Sequence, residues 1–184
     1  MGVVVAATLS AACSSGSPSD PVPTSDSATN AAPVSPSDPP PSSATPADAA
    51  RQQAIAAYRG MWEDYAVAAE TSNWQDPRLG QHATGTALTN ITRGLYTDKA
   101  NGLVSKGRPK VDPQVSSVEP ASAPVKVIIA DCGDSTDWIQ YRVDTGEPAD
   151  DIPGGRREIN AVVEKQAGGA WQVTDFGVQE IGTC

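Results

Sequence analysis

The chain has 184 residues, with 22 Asp and Glu against 13 Lys and Arg and a formal net charge of -9. That balance, with no basic stripe, excludes a nucleic-acid partner, because phosphate contacts need clustered Lys and Arg. After Leu9 no apolar run approaches the roughly 20 residues that a membrane-spanning helix needs.

The start of the chain reads as an export signal. Val3-Val4-Val5-Ala6-Ala7-Thr8-Leu9 runs into Ser10-Ala11-Ala12-Cys13, and composition then changes abruptly. In a bacterial lipoprotein the small residues fit the signal peptidase, and the cysteine thiol takes a diacylglycerol thioether before cleavage makes it the new N-terminus. Residues 1–12 are therefore expected to be a signal peptide and Cys13 the lipidation site. No basic residue precedes Arg51, and Leu9 stands four places before Cys13 where a lipobox has it three before. A start codon upstream of Met1 would supply the missing basic segment. The expected location is the extracytoplasmic face of the bacterial cell membrane, with the lipid as membrane partner.

Residues 13–45 follow as a tether. From Ser14 to Thr45 there is no aromatic residue, and Val22 and Val34 are the only valines. Such a segment has no apolar surface to offset a backbone ordering cost of about 1–2 kcal/mol per residue. Pro39-Pro40-Pro41 favours extended polyproline II. Asp20, Asp26, Asp38 and Asp48 meet no basic residue, so an acidic lipid surface would repel the segment.

The domain expected at 46–184 has the size of a single core. Thr45-Pro46-Ala47-Asp48 is a helix start, with a hydroxyl cap, proline at the first helical position and an acid at the third. Ile55, Tyr58, Trp62, Tyr65 and Ala69 recur at intervals of three and four and predict a long core helix. Asp76-Pro77 opens a short second helix to about His82. Leu88, Ile91, Leu95 and Tyr96 mark a third, ending near Asn101-Gly102.

Beyond Leu103 the period changes to two. Val111–Val118 is a weak strand broken by Pro113, and Val125–Cys132 and Asp137–Val143 are stronger ones. A long polar loop from Asp144 to Arg157 precedes strands at Arg157–Gln166 and Trp171–Ile181, joined at Gly168-Gly169 by an expected two-residue turn. Trp171 and Val173 have one parity and Phe176 and Val178 the other, so a bulge near Thr174 or Asp175 would bring both pairs to one face.

With Cys13 taken by lipid, Cys132 and Cys184 remain as an even pair in an oxidising compartment. A disulfide between them is predicted, worth about 4 kcal/mol in the chain-entropy model.

Helices followed by an antiparallel sheet give an α+β class. Tyr58-Arg59-Gly60-Met61-Trp62, Trp74-Gln75-Asp76-Pro77-Arg78-Leu79, Ala83-Thr84-Gly85-Thr86-Ala87-Leu88 and Trp171-Gln172-Val173-Thr174-Asp175-Phe176 carry a resemblance over essentially the whole domain. They resemble a group of uncharacterised actinobacterial lipoproteins similar to the NTF2-like superfamily, which includes ketosteroid isomerase and SnoaL-type cyclases. The resemblance implies a cone, with N-terminal helices packed in a curved antiparallel sheet and a cavity at the wide end. It transfers no activity, since this fold serves both enzymes and binding modules.

Within such a cone the candidate pocket residues are Tyr58, Trp62, Tyr65, His82, Tyr96 and Tyr141, with Asp131, Asp137 and Asp175 as further acid–base candidates. None falls in a catalytic motif, so no catalytic residue is assigned. His82, the single histidine, fits a surface or capping role as well as a site, and Tyr58 and Tyr65 fit a core face. Asp131, Asp134 and Asp137 lack calcium-loop spacing, and one histidine with paired cysteines gives no zinc set. No cofactor is expected. The reading is a membrane-anchored, non-enzymatic module binding a small ligand or an envelope protein. The alternatives are a cone-pocket isomerase, dehydratase or hydrolase on a small apolar substrate, and an envelope assembly or spacer subunit.

Overall fold

The computed structural model describes residues 44–151 and 154–184. Cys13, the signal segment and the tether to residue 43 lie outside the described residues, as do Ile152 and Pro153 of the long loop. Three helices come first, α1 Pro46–Ala69, α2 Leu79–His82 and α3 Gly85–Ala100. Six strands follow: β1 Leu103–Lys106, β2 Gln114–Glu119, β3 Lys126–Asp134, β4 Ile139–Arg142, β5 Arg156–Lys165 and β6 Trp171–Val178. No helix among the described residues is long and apolar enough to cross a membrane.

The start of α1 is fixed by a reciprocal cap. Thr45 Oγ1 accepts from the Asp48 N–H, and the Asp48 carboxylate accepts from the Thr45 N–H, satisfying two donors that the helix leaves unpaired. The Thr45 hydroxyl, which donates to Asp48 Oδ2 at 2.7 Å, and then the Thr45 N–H hold the Asp48 carboxyl below the usual range. Along α1, Ala54, Ala57, Tyr58, Met61 and Trp62 are buried, and the small alanines let the helix lie close against the sheet. Just past α1, Ser72 is buried at φ 51°, and its hydroxyl donates to the Leu103 carbonyl, tying the helix exit to β1.

The main sheet has the order β2-β3-β5-β6, antiparallel throughout, while β1 and β4 form a separate two-stranded ribbon. Helices held in a curved antiparallel sheet make this the α+β cone that the resemblance implies. One source of the curvature is the expected bulge. Val163 pairs with Val173 and Val162 with Asp175, so Thr174 is the extra residue, and the shift turns Phe176 toward the core.

Some expectations needed adjustment. Residues 137–143 shorten to β4, whose partner is β1, a four-residue strand too short to show its alternation in the sequence. The second strand begins at Gln114 because Pro113 has no N–H to give to a ladder. The last hairpin turn is one residue longer than expected. Gly169 N–H closes on the Gln166 carbonyl with Gly169 at φ +87°, so Ala167, Gly168 and Gly169 form the loop. The predicted disulfide is present, joining Cys132 on β3 to Cys184 at the end of the chain with their Cα atoms 5.9 Å apart.

Candidate functional site

The inward positions of β3 and β5 change character along their length. Four cross-strand pairs face the helices in turn: Val127 with Val163, Ile129 with Ala161, Asp131 with Ile159 and Gly133 with Arg157. At the first two rungs α1 packs directly on the sheet. At the last, Ile159 covers Gly133, and a cavity of about 610 Å³ opens, lined by Trp62, Tyr65, Trp138, Ile159, Phe176 and Arg157 among others.

Aromatic rings form one wall of this cavity. Trp62 stacks on Tyr65 with centroids 6.1 Å apart and meets Trp138 and Phe176 edge to face at 6.2 and 5.6 Å. Tyr65 and Trp138 touch at 5.1 Å. Such a cluster is rigid and apolar and offers flat faces to a ligand.

A polar group sits at the ribbon side. Gln140 Nε2 on β4 donates to Asp98 Oδ1 on α3 at 3.0 Å, and both residues line the cavity with Ser105. Burial raises the Asp98 carboxyl above its ordinary range, although the Gln140 bond opposes this. Burial, with Asp98 nearby, pushes the Tyr65 hydroxyl up to about 12.

Tyr58 and Asp131 lie deeper. Tyr58 Oη donates to Asp131 Oδ2 at 2.9 Å, and Asp131 Oδ1 accepts from the Asp112 N–H at 2.9 Å. With both Asp131 oxygens engaged and Tyr58 fully buried, the pair belongs to the core and does not line the cavity. Burial first, and the adjacent Asp131 second, push the Tyr58 hydroxyl far above its ordinary range.

His82 stands elsewhere, on the outer side of α1. Its Nδ1 lies 2.6 Å from Oδ2 of the buried Asp64, and its ring lies over Gly60, where a Cβ would come within 2.6–2.7 Å of the ring atoms. Gly60 and Asp64 are one turn apart, so the glycine makes room for the ring and the carboxylate holds it. The short α2 that carries His82 is fixed to β6, because Gln172 Nε2 donates to the Gly80 and Gln81 carbonyls and Thr84 N–H to Val173. His82 thus has a buried Asp partner, but it borders a separate shallow hollow with Gln53, Ala57 and Trp171, not the large cavity.

The remaining candidates are spread over the surface. Tyr96 is 56% exposed and meets Trp74 edge to face at 5.7 Å. Tyr141 lies on the ribbon beneath Lys106, whose Nζ is 4.4 Å from the ring centroid. Asp175 is exposed on β6. Of the six candidate pocket residues, Trp62 and Tyr65 line the cavity, whereas Tyr58, His82, Tyr96 and Tyr141 do not.

The aspartates around Cys132 have separate partners. Asp131 is engaged as above, Asp134 accepts from the Thr136 N–H at 2.9 Å, and Asp137 pairs with Lys110. Among the described residues no group of three His, Cys, Asp or Glu is placed to hold a metal.

Sequence reasoning missed Asp64, Asp98, Trp138, Gln140 and Arg157. The i, i+4 spacing of Gly60 and Asp64 beside the single histidine was a readable signal for the first. The others converge from α3, from β4 and the turn before it, and from β5, and carry no local pattern.

No protein-family model matches the chain, and no curated protein matches it. Solved structures do. The intermembrane-space region of the chloroplast protein ARC6 aligns with a TM-score of 0.50 at 14% identity, covering 70% of this chain and 95% of that one. An NTF2-like superfamily protein from Salmonella enterica serovar Typhimurium gives 0.48 at 12% identity over 73% and 94% of the two chains. A ketosteroid isomerase-like protein from Erwinia carotovora atroseptica gives 0.41 at 12% over 68% and 91%. At 14% identity the likeness to the ARC6 region is one of fold alone.

Proposed function

We propose that the chain is a lipid-anchored extracytoplasmic module whose cone holds one small, largely apolar ligand. The observation that carries this reading is the cavity of about 610 Å³ walled by Trp62, Tyr65, Trp138 and Phe176, within the size range of small-molecule sites. A spacer would be expected to have a filled cone. The anchor rests on Cys13 and the segment before it, and the tether would hold the cavity away from the membrane surface.

One observation favours the enzymatic alternative: Asp98, raised by burial, faces the cavity beside Tyr65. Against it, Gln140 already occupies one Asp98 oxygen, Tyr65 is pushed away from neutral proton exchange, and the His82–Asp64 pair borders another hollow. Binding without turnover is the better-supported function.

The test uses N-phenyl-naphthylamine, a neutral dye that brightens in apolar surroundings. The full chain should take up about one dye per molecule, and Val178→Trp, placed at the cavity lining, should block uptake while leaving the thermal transition within a few degrees. Equal uptake by this variant would remove the cavity reading. Metabolic labelling with a fatty-acid analogue should mark the exported chain but not Cys13→Ser, and equal labelling of the two would remove the anchor.

A further inference from the structure

We propose that the ligand carries an acidic group, a carboxylate or a group of the same shape and charge, and that Arg157 anchors it. This rests on the ligand-binding reading above and names the chemistry of its ligand. Arg157 lies on the inward face of β5 at the last rung, across from Gly133. It is the one Lys or Arg lining the cavity.

Position in the lining, rather than pairing alone, distinguishes this residue. In a chain with net charge -9, Arg78, Arg108, Lys110 and Lys126 each pair with a carboxylate, and the other unpaired basic residues lie outside the cavity lining. Among the described residues Arg157 makes no ion pair, and its one hydrogen bond runs from NH1 to the Gln179 carbonyl at 3.3 Å. A guanidinium has five N–H donors in a planar fork, so one bond to a neutral carbonyl leaves an edge free for a bidentate acid.

The position of that fork is held from outside. Residues 179–184 run back across the start of β5, with Gln179 N–H bonded to Glu158, Gly182 N–H to Arg156, and Thr183 Oγ1 accepting from Glu158 N–H. The disulfide to Cys132 closes this tail onto β3. Neighbouring Arg156 is turned outward and donates to Cys132 Sγ from two nitrogens at 3.2 Å, so only Arg157 serves the interior. The same tail places Ile181 in the cavity lining.

Charged groups of the lining orient the ligand. Asp98, bonded to Gln140 on the ribbon side, and Asp150 repel an anion, whereas Arg157 attracts one. The acid therefore sits at Arg157 and the apolar body lies along the aromatic wall.

The experiment measures binding of naphthoic acid and of naphthamide, which share an aromatic body and differ in charge, to the full oxidised chain at neutral pH. Wild type should bind the acid about ten-fold or more tightly than the amide. Arg157→Gln should abolish that preference, weakening the acid about ten-fold more than the amide, and Arg157→Lys should retain part of it. Preference surviving in Arg157→Gln, or equal binding of both probes by wild type, overturns the proposal. Equal binding that Val178→Trp removes would overturn the Arg157 assignment alone and leave the cavity reading standing. Failure of both probes and of N-phenyl-naphthylamine to bind would remove the two together.

Discussion

The two ends of β3 and β5 use the same pleated alternation for opposite purposes. At one end Val127, Ile129, Ala161 and Val163 are at most 2% exposed and meet Tyr58 and Met61 of α1 in a close-packed core. At the other the inward positions are Gly133, covered by the Ile159 side chain, and Arg157, and both line the cavity with Trp62 of α1. The backbone ladder is continuous across both ends, so the cavity does not arise from a break in the sheet. It lies where the sheet is bulged at Thr174, a register shift that bends the strand and lets the sheet curve away from the helix.

That contrast can be broken first by truncation. Ile129→Ala at the packed end should cost about 2–5 kcal/mol in urea unfolding, whereas Val178→Ala at the open end should cost about 1 kcal/mol or less. Similar losses at the two positions would mean that the cavity end is packed like a core. Next in size is Cys184→Ser. The bridge closes a separation of 52 residues, and its loss should lower stability by about 2–4 kcal/mol. Amide exchange should rise at Gly182 and Gln179 in the tail and stay slow at Ile129.

Gly60→Ala probes the outer hollow against the cavity. A new Cβ collides with the His82 ring, so the change should cost about 1–3 kcal/mol and free His82 from Asp64. In a His82→Ala background the same change should stabilise by up to about 1 kcal/mol, as for an unobstructed helical glycine. Dye uptake by the cavity should be unaltered in both, because His82 borders a different hollow.

The smallest effect concerns pH. Burial raises the Asp98 carboxyl in the folded state, so the folded chain binds a proton more tightly there than the unfolded chain does. The stability this contributes is complete below the unfolded value and is lost as pH rises through the folded value. Asp98→Asn should therefore stabilise the domain slightly at neutral pH and have no such effect in acid, as read by thermal unfolding across that range. A stabilisation that persists unchanged in acid would show that the Asp98 site is not desolvated.

Much of the fold was legible because its signals are local. The cap at Thr45, the three- and four-residue spacing through Tyr58 and Trp62, and the parity change between Val173 and Phe176 each lie within one element. The ribbon was not, since Leu103–Lys106 is defined by its partner Ile139–Arg142 rather than by its own pattern. Of the site, Trp62 and Tyr65 were legible as aromatics on a helix face. Asp98, Trp138, Gln140 and Arg157 were not, because they come from α3, from β4 with the turn before it and from β5, and their convergence depends on how those segments pack.

By itself the sequence determined that three helices precede an antiparallel sheet, the pairing of Cys132 with Cys184 and a bulge near Thr174 or Asp175, since periodicity, parity and cysteine arithmetic depend on neighbours along the chain or on simple counting. Only the tertiary structure decided that Tyr58 is a core residue tied to Asp131, that His82 lies on Gly60 and Asp64 outside the cavity lining, and that Arg157 faces inward with no carboxylate on it among the described residues. Those outcomes depend on which surfaces meet across the core, and side chains far apart in the chain acquire their chemistry from that meeting.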